Sequence, residues 1–292
     1  MHRRILIIGG TGFIGAAVCE DFLYSGDEVT LFHRELKKGT REHLNLFHII
    51  GDRNDPPEEL KSMTFDIVID TCGYSPNDFR ILNFLKFEHY IFISSVAVFS
   101  NQISPLSSES GSKIDEDHLD LSGDLRNLNK HQRYGISKLE CERYLRINSD
   151  CISVIRPSIV LGKNEKTGRL RDIYQLPKTN ARIPMETERK FQFIDINDLV
   201  NLISGVAERM PGDDYNLVGP SLDWQEFVST FCKVFEIVDY LPVNTLRDFP
   251  FWDNYPNSGI RSLVSKHSWI AKHKFISLAD SLMMYKSNLE QI

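Results

Sequence analysis

The stretch YGISK, residues 134–138, places the phenol of Tyr134 and the ammonium of Lys138 four residues apart. On a helix that spacing puts both side chains on one face, one turn from each other. A free tyrosine titrates near pH 10. A phenol that exchanges protons near neutrality therefore needs about 3–4 kcal/mol of differential stabilisation of its anion. A nearby ammonium supplies part of that. The pair is either an ordinary helix pair or a proton-transfer device, and a device needs a cofactor site and a third polar group.

A cofactor site is written at the start of the chain. RRILIIG (3–9) reads as a buried strand and residues 12–25 as a helix, with GGTGFIG (9–15) between them. Gly9 suits a tight turn, Gly12 a close backbone approach to a pyrophosphate, and Gly15 close packing of helix on sheet. The helix start, with Thr11, Phe13 and Ile14, offers free N–H groups and partial positive charge to phosphates. The next strand, EVTLFHR (28–34), ends in His33 and Arg34. A carboxylate at that point would accept from a ribose 2′-hydroxyl and repel a 2′-phosphate. Arg34 instead can pair a phosphate in two-pronged fashion, which favours NADP and leaves NAD open. GDR (51–53) ends the third strand, so Asp52 and Arg53 are expected at the adenine. DTCGY (70–74) ends the fourth, where Thr71, Cys72 and Gly73 would let a cofactor lie on backbone.

These elements belong to a longer alternation. LFHIIGD (46–52), FDIVID (65–70), HYIFISS (89–95), CISVIRPSIV (151–160) and KFQFID (190–195) are short apolar runs rich in β-branched residues. Strands alternating with helices predict an α/β fold, a doubly wound parallel sheet. Residues 100–130 read as a long polar loop and 196–210 as an amphipathic helix. Segment 223–292 is mostly helical. The expected division is a dinucleotide-binding domain over 1–161, rejoined by 190–219, and a smaller substrate-binding region over 162–189 and 220–292.

Composition sets outer limits. The chain has 292 residues, 41% hydrophobic and 25% charged, with a net charge of −6. That balance speaks against nucleic acid as a partner. Residues 126–190 hold 15 Lys and Arg against 7 Asp and Glu, a local surplus suited to an anionic ligand. The five cysteines show no CxxC pair, and no metal site is expected. The apolar start is too short for a signal peptide and no run approaches a membrane span, so a cytoplasmic protein without a membrane partner is expected.

GGTGFIG, FISSVAVF (92–99), YGISK and RPSIVLG (156–162) together resemble an extended or atypical short-chain dehydrogenase/reductase, the NAD-dependent epimerase/dehydratase family. VTLFHR, GDRND, DTCGY and FQFIDINDLV bring the chain nearest the branch with the chloroplast stem-loop-binding proteins and their bacterial relatives. The resemblance covers roughly residues 3–219. It implies that Tyr134 is the catalytic tyrosine, Lys138 its partner, and Ser95 the hydroxyl that holds the reacting oxygen. Tyr134, Lys138, Pro157 and Ile159 would also contact the cofactor. Sugar-nucleotide 4,6-dehydratases carry an Asp-Glu pair where this chain has Val96 and Ala97, which cannot move protons. UDP-sugar epimerases carry an arginine where Phe191 stands, beside Arg189 and Lys190; Arg182, Arg189 or Arg261 would have to compensate.

The first reading is an NADP-dependent oxidoreductase acting on a carbonyl or secondary alcohol of a small anionic or polyol-like substrate. A nucleotide-sugar epimerase uses the same three residues and is the alternative within the class. An RNA-binding protein of the stem-loop-binding type is the alternative outside it. A homodimer is compatible with the resemblance.

Overall fold

The computed structural model describes residues 2–35, 42–99, 130–165, 167–175, 190–237 and 265–290. It opens with β1 (Arg4–Ile8), α1 (Phe13–Tyr24), β2 (Glu28–His33) and β3 (Leu46–Ile50). A short α2 (Glu58–Ser62) leads to β4 (Thr64–Asp70), a 3-10 helix (Pro76–Asn83) and β5 (Lys86–Ile93). After a 3-10 turn at Val96–Phe99 come α3 (Lys130–Asn148), β6 (Ile152–Pro157) and β7 (Ile159–Leu161). Then follow α4 (Arg169–Gln175), β8 (Lys190–Asp195), α5 (Ile196–Ala207), β9 (Asp214–Leu217) and β10 (Ser221–Asp223). Helices α6 (Trp224–Val234), α7 (Ser268–Ala271) and α8 (Leu278–Glu290) complete the described chain.

A seven-stranded sheet runs in the order β3-β2-β1-β4-β5-β6-β9. The pairs from β3 through β6 are parallel. Central strands are buried on both faces and accordingly read as unbroken apolar runs: Ile5, Leu6 and Ile7 of β1 are fully buried. Edge strand β3 differs, leaving Phe47 and Ile50 about half exposed. Helix α1 buries Gly15, Val18, Cys19, Phe22 and Leu23, one stripe at helical spacing. It ends at Gly26, whose φ of +84° turns the chain back.

The order reverses at β1, which pairs with β2 on one side and β4 on the other. Chain connections diverge there, and the crevice at the carboxyl ends of β1 and β4 is the general ligand position of such sheets.

The run CISVIRPSIV forms two strands rather than one. Pro157 closes β6 because it has no N–H for the ladder. Ser158 then donates its backbone N–H to the Leu217 carbonyl at 3.1 Å. Beyond it, β7 pairs parallel with β8 in a separate three-stranded sheet, β10-β8-β7.

Two compact units result. The first comprises Met1–Ser95, Ile136–Pro157 and Leu199–Tyr215; the second comprises Val96–Gly135, Ser158–Asp198 and Asn216–Ile292. The second has its own core of Leu161, Phe193, Trp224, Phe227, Phe231 and Leu282. Asp223 caps α6 by accepting from the Glu226 N–H at 2.7 Å. In the same unit Asp195 is buried and accepts from Ser281 Oγ at 2.5 Å and the Asn197 N–H at 2.8 Å. Asp198 accepts from the Ile276 N–H at 2.8 Å and lies 2.7 Å from His273 Nε2. These carboxylates fasten 267–290 to the FIDIND segment.

Candidate active site

At the switch point, the glycine loop is built as its spacing predicts. Gly9 has a φ of +88°, and a Cβ there would lie 2.6 Å from Thr71 Oγ1 and 3.0 Å from Cys72 Sγ. The loop is thus pressed against the end of β4, where the Thr71 N–H donates to the Ile8 carbonyl at 3.0 Å. Gly15 faces inward: its Cβ would sit 2.5 Å from the Gly9 carbonyl oxygen. Gly12 is different. It caps α1 with no side-chain hydrogen bond, and a Cβ would meet only the Gly9 carbonyl oxygen, at 3.2 Å. No acidic residue stands in the first turn of α1. A strand-end crevice with a bare helix N-terminus and an open Gly12 fits a dinucleotide pyrophosphate.

This contrast yields a prediction. Gly12→Val keeps the fold, because φ is ordinary and the one tight contact gives by tenths of an ångström. It should weaken dinucleotide binding by about 100-fold or more, roughly 2.8 kcal/mol. Gly15→Val should instead cost about 1–3 kcal/mol of stability, since backbone must shift to accept it. Calorimetric titration and urea melts on both variants separate the two roles. Normal binding by folded Gly12→Val would remove the phosphate cradle.

The strand ends sort the other expected cofactor residues. His33 is buried, with Nδ1 2.5 Å from the Glu35 carbonyl and Nε2 3.0 Å from His48 Nδ1. Arg34 is exposed beside it. Asp52 is exposed, and its Oδ1 accepts from the Asn54 N–H and side-chain amide, which together hold the carboxyl below its usual range; Arg34 adds to this. Arg53 turns inward. Its Nε donates to the Asp78 carbonyl at 2.7 Å, Nη1 to the Cys72 carbonyl at 3.3 Å, and Nη2 to Asp70 at 2.6 Å. Where the sequence suggested a ligand contact, the guanidinium is bonded to protein acceptors. Burial pushes the Cys72 thiol up to about 12, so it is neutral in ordinary buffers.

Lys138 is 2% exposed. Its Nζ donates to the Gly73 carbonyl at 2.8 Å and the Ile93 carbonyl at 3.0 Å, at the carboxyl ends of β4 and β5. The ammonium also lies 5.0 Å from the Tyr74 ring centre and 4.7 Å from that of Phe92. Tyr134 precedes it by one turn on α3 and is 37% exposed. Of the serines at the end of β5, Ser94 is buried and donates to Glu142 Oε1 at 2.5 Å. Ser95 is half-buried and follows the Ile93 carbonyl that Lys138 grips. Pro157 is buried at the end of β6; Ile159 opens β7, half-buried. Val96 and Ala97 lie in the apolar 3-10 turn, Ala97 fully buried. Arg182, Arg189 and Arg261 fall outside the described residues.

One group escaped sequence reasoning. Glu142, on α3, accepts from Ser94, from Arg156 Nε at 3.0 Å and from Arg156 Nη2 at 2.6 Å. Arg156 also reaches Asp214 at 2.8 Å. The carboxylate thereby ties the ends of β5 and β6 to the helix carrying Lys138. A charged residue inside an otherwise buried stripe of α3 was the available signal.

Comparison with known proteins agrees with this frame. Residues 5–80 match the model of the NAD dependent epimerase/dehydratase family, and residues 79–193 match that described as male sterility protein. The chloroplast stem-loop binding protein of 41 kDa b from Arabidopsis thaliana is 29% identical over 178 residues. That match takes in 55% of this chain and 43% of the relative, so the chain spans less than half the length of that protein. The Bordetella bronchiseptica enzyme WbmH, solved with NAD+, superposes with a TM-score of 0.71 at 16% identity over 99% of both chains. A Bacillus cereus UDP-glucuronic acid 4-epimerase, solved with NAD and UDP-4-deoxy-4-fluoro-glucuronic acid, gives 0.71 at 17%, also over 99% of both. At such identities the likeness is one of fold. No helix among the described residues is long and apolar enough to cross a membrane.

Proposed function

We propose that the chain is a nicotinamide-dependent enzyme similar to the extended short-chain dehydrogenases/reductases, a reading supported by its partial match to the NAD dependent epimerase/dehydratase family model. Its reaction is hydride transfer at a carbonyl or secondary alcohol of a small anionic or polyol-like substrate. The observation that carries this reading is the seating of Lys138. Its ammonium is held at the ends of β4 and β5, the first of which also supports the glycine loop, one helical turn after Tyr134.

A bound nicotinamide dinucleotide supplies the hydride donor or acceptor. The chain's own residues do the rest. The N–H groups at the start of α1 would hold the dinucleotide's phosphates, and Thr71, Cys72 and Gly73 would form a backbone floor. Tyr134 gives or takes the proton at the reacting oxygen, Lys138 favours its phenolate, and Ser95 hydrogen-bonds the same oxygen.

The same three residues serve a nucleotide-sugar epimerase, in which the hydride returns to the opposite face of the sugar. The bound ligands of the Bacillus cereus neighbour favour that second reading. Incubating the protein with a cofactor and UDP-glucuronic acid separates the two: an epimer without net change at 340 nm, the dihydronicotinamide band, supports the epimerase. RNA binding, which the stem-loop-binding relative would add, sits poorly with a net charge of −6 and a buried Lys138.

NADP is the proposed partner over NAD, because exposed Arg34 follows the second strand where no carboxylate stands, and a guanidinium there could pair a 2′-phosphate. Titration calorimetry is expected to show tighter NADP(H) than NAD(H), and Arg34→Ala to erase the difference. Equal affinities in the parent protein would remove the preference and leave the nicotinamide reading intact.

A further inference from the structure

Behind the floor of the crevice lies a fully buried carboxylate that the reaction above does not use. Asp70, the last residue of β4, accepts from Arg53 Nη2 at 2.6 Å, Tyr90 Oη at 2.7 Å and the Cys72 N–H at 2.9 Å. Arg53 in turn holds the carbonyls of Cys72 and Asp78. Asp70 and Arg53 therefore grip both backbone groups of Cys72, one residue before the Gly73 carbonyl that accepts from Lys138. We propose that Asp70, paired with Arg53, is a positioning residue for Lys138: it fixes the strand-end carbonyl on which the ammonium docks and balances its charge.

Electrostatics agree with that geometry. Burial alone would raise the Asp70 carboxyl, and the Arg53 guanidinium with the three hydrogen bonds outweighs it, so the group stays ionised. Burial lowers the Lys138 ammonium, and Asp70 heads the charges that oppose the lowering. The other groups facing the ammonium are Cys72 and the Tyr74 ring from the end of β4, the Ile93 carbonyl and Phe92 ring from β5, and Cys141 and Glu142 from α3 itself. Cys72 and Cys141 are both neutral, their thiols pushed up to about 12 by burial. Glu142 is shared with Arg156. Like Glu142, Asp70 is paired with an arginine, but it alone is also hydrogen-bonded to the backbone next to the Gly73 carbonyl on which the ammonium docks. Arg53 neutralises part of its charge, which sets the field at Lys138 rather than abolishing it.

This inference rests on the proposed reaction for its meaning, but its test needs neither substrate nor cofactor. Lysine labelled with carbon-13 at Cε is titrated by NMR in the cofactor-free protein. Asp70→Asn preserves shape and removes charge, and should lower the Lys138 midpoint by at least one pH unit, a tenfold change in its proton affinity. In turnover assays the same variant should lose activity at a lower pH on the alkaline side, with little loss on the acid plateau. Tyr90→Phe keeps both Asp70 and Arg53. It should leave the Lys138 midpoint unchanged while lowering stability, and it remains informative if Asp70→Asn does not fold. An unchanged midpoint in folded Asp70→Asn, or a matching fall in Tyr90→Phe, would overturn the proposal. Failure of hydride transfer itself would show instead in Tyr134→Phe.

Discussion

Tyr134→Phe is expected to lower turnover by about 10²–10⁴-fold, the usual contribution of a positioned acid/base group. Dinucleotide affinity should stay within a few-fold. The argument is one of position. Tyr134 is partly exposed on α3, so replacing the phenol by phenyl disturbs little packing. Lys138 keeps its two carbonyl partners, Gly73 and Ile93, because they belong to the sheet and not to the tyrosine. Lys138→Ala is the contrasting variant. It strands both carbonyls in a buried site and removes the ammonium, so activity, affinity and stability should fall together. Single-turnover hydride transfer with parallel cofactor titration reads both variants. Full transfer by Tyr134→Phe would return YGISK to an ordinary helix pair.

The largest loss of stability is expected at Glu142. Glu142→Leu takes from Arg156, a side chain 6% exposed, its bidentate partner. It also removes the acceptor of Ser94. Breaking a buried ion pair from one side costs up to about 3–5 kcal/mol, and Asp214 offsets only part of the charge that Arg156 then keeps inside. Replacing both members with apolar residues costs far less, so Glu142→Leu/Arg156→Leu should be more stable than Glu142→Leu alone. Urea melts of the two singles and the double complete the cycle. Additive losses would mean that the two side chains are not energetically coupled.

Serine placement shows how these two expectations meet. Ser94 is buried and donates to Glu142, while Ser95, next in the chain, is half-buried. Glu142 is therefore expected to matter for catalysis through the loop it anchors. Its loss should lower activity less steeply than loss of Tyr134.

Local features were legible before any coordinates. An apolar run such as ILII, ended by glycines, reads as a strand buried on both faces, and Gly9 and Gly15 sit where a side chain would strain or clash with backbone. The spacing of Tyr134 and Lys138 follows from helix geometry alone. Such signals depend on neighbours within a few residues, and so a sequence carries them openly.

Tertiary structure decided which polar groups face one another. Arg53 was expected at the cofactor, and its sequence position gave no sign that Asp70, 17 residues on, would pair with its guanidinium. CISVIRPSIV looked like one strand until β8 and β10 gave its second half a separate sheet. Glu142 gave only the weak signal of a charge within an apolar stripe, and the fold brought Ser94 and Arg156 to it. Each outcome turns on partners distant in the chain, where a buried charge must be matched by whatever the packing supplies. The strands, the glycine turn and the Tyr-Lys spacing were the sequence's own; the pairing of its buried charges belonged to the fold.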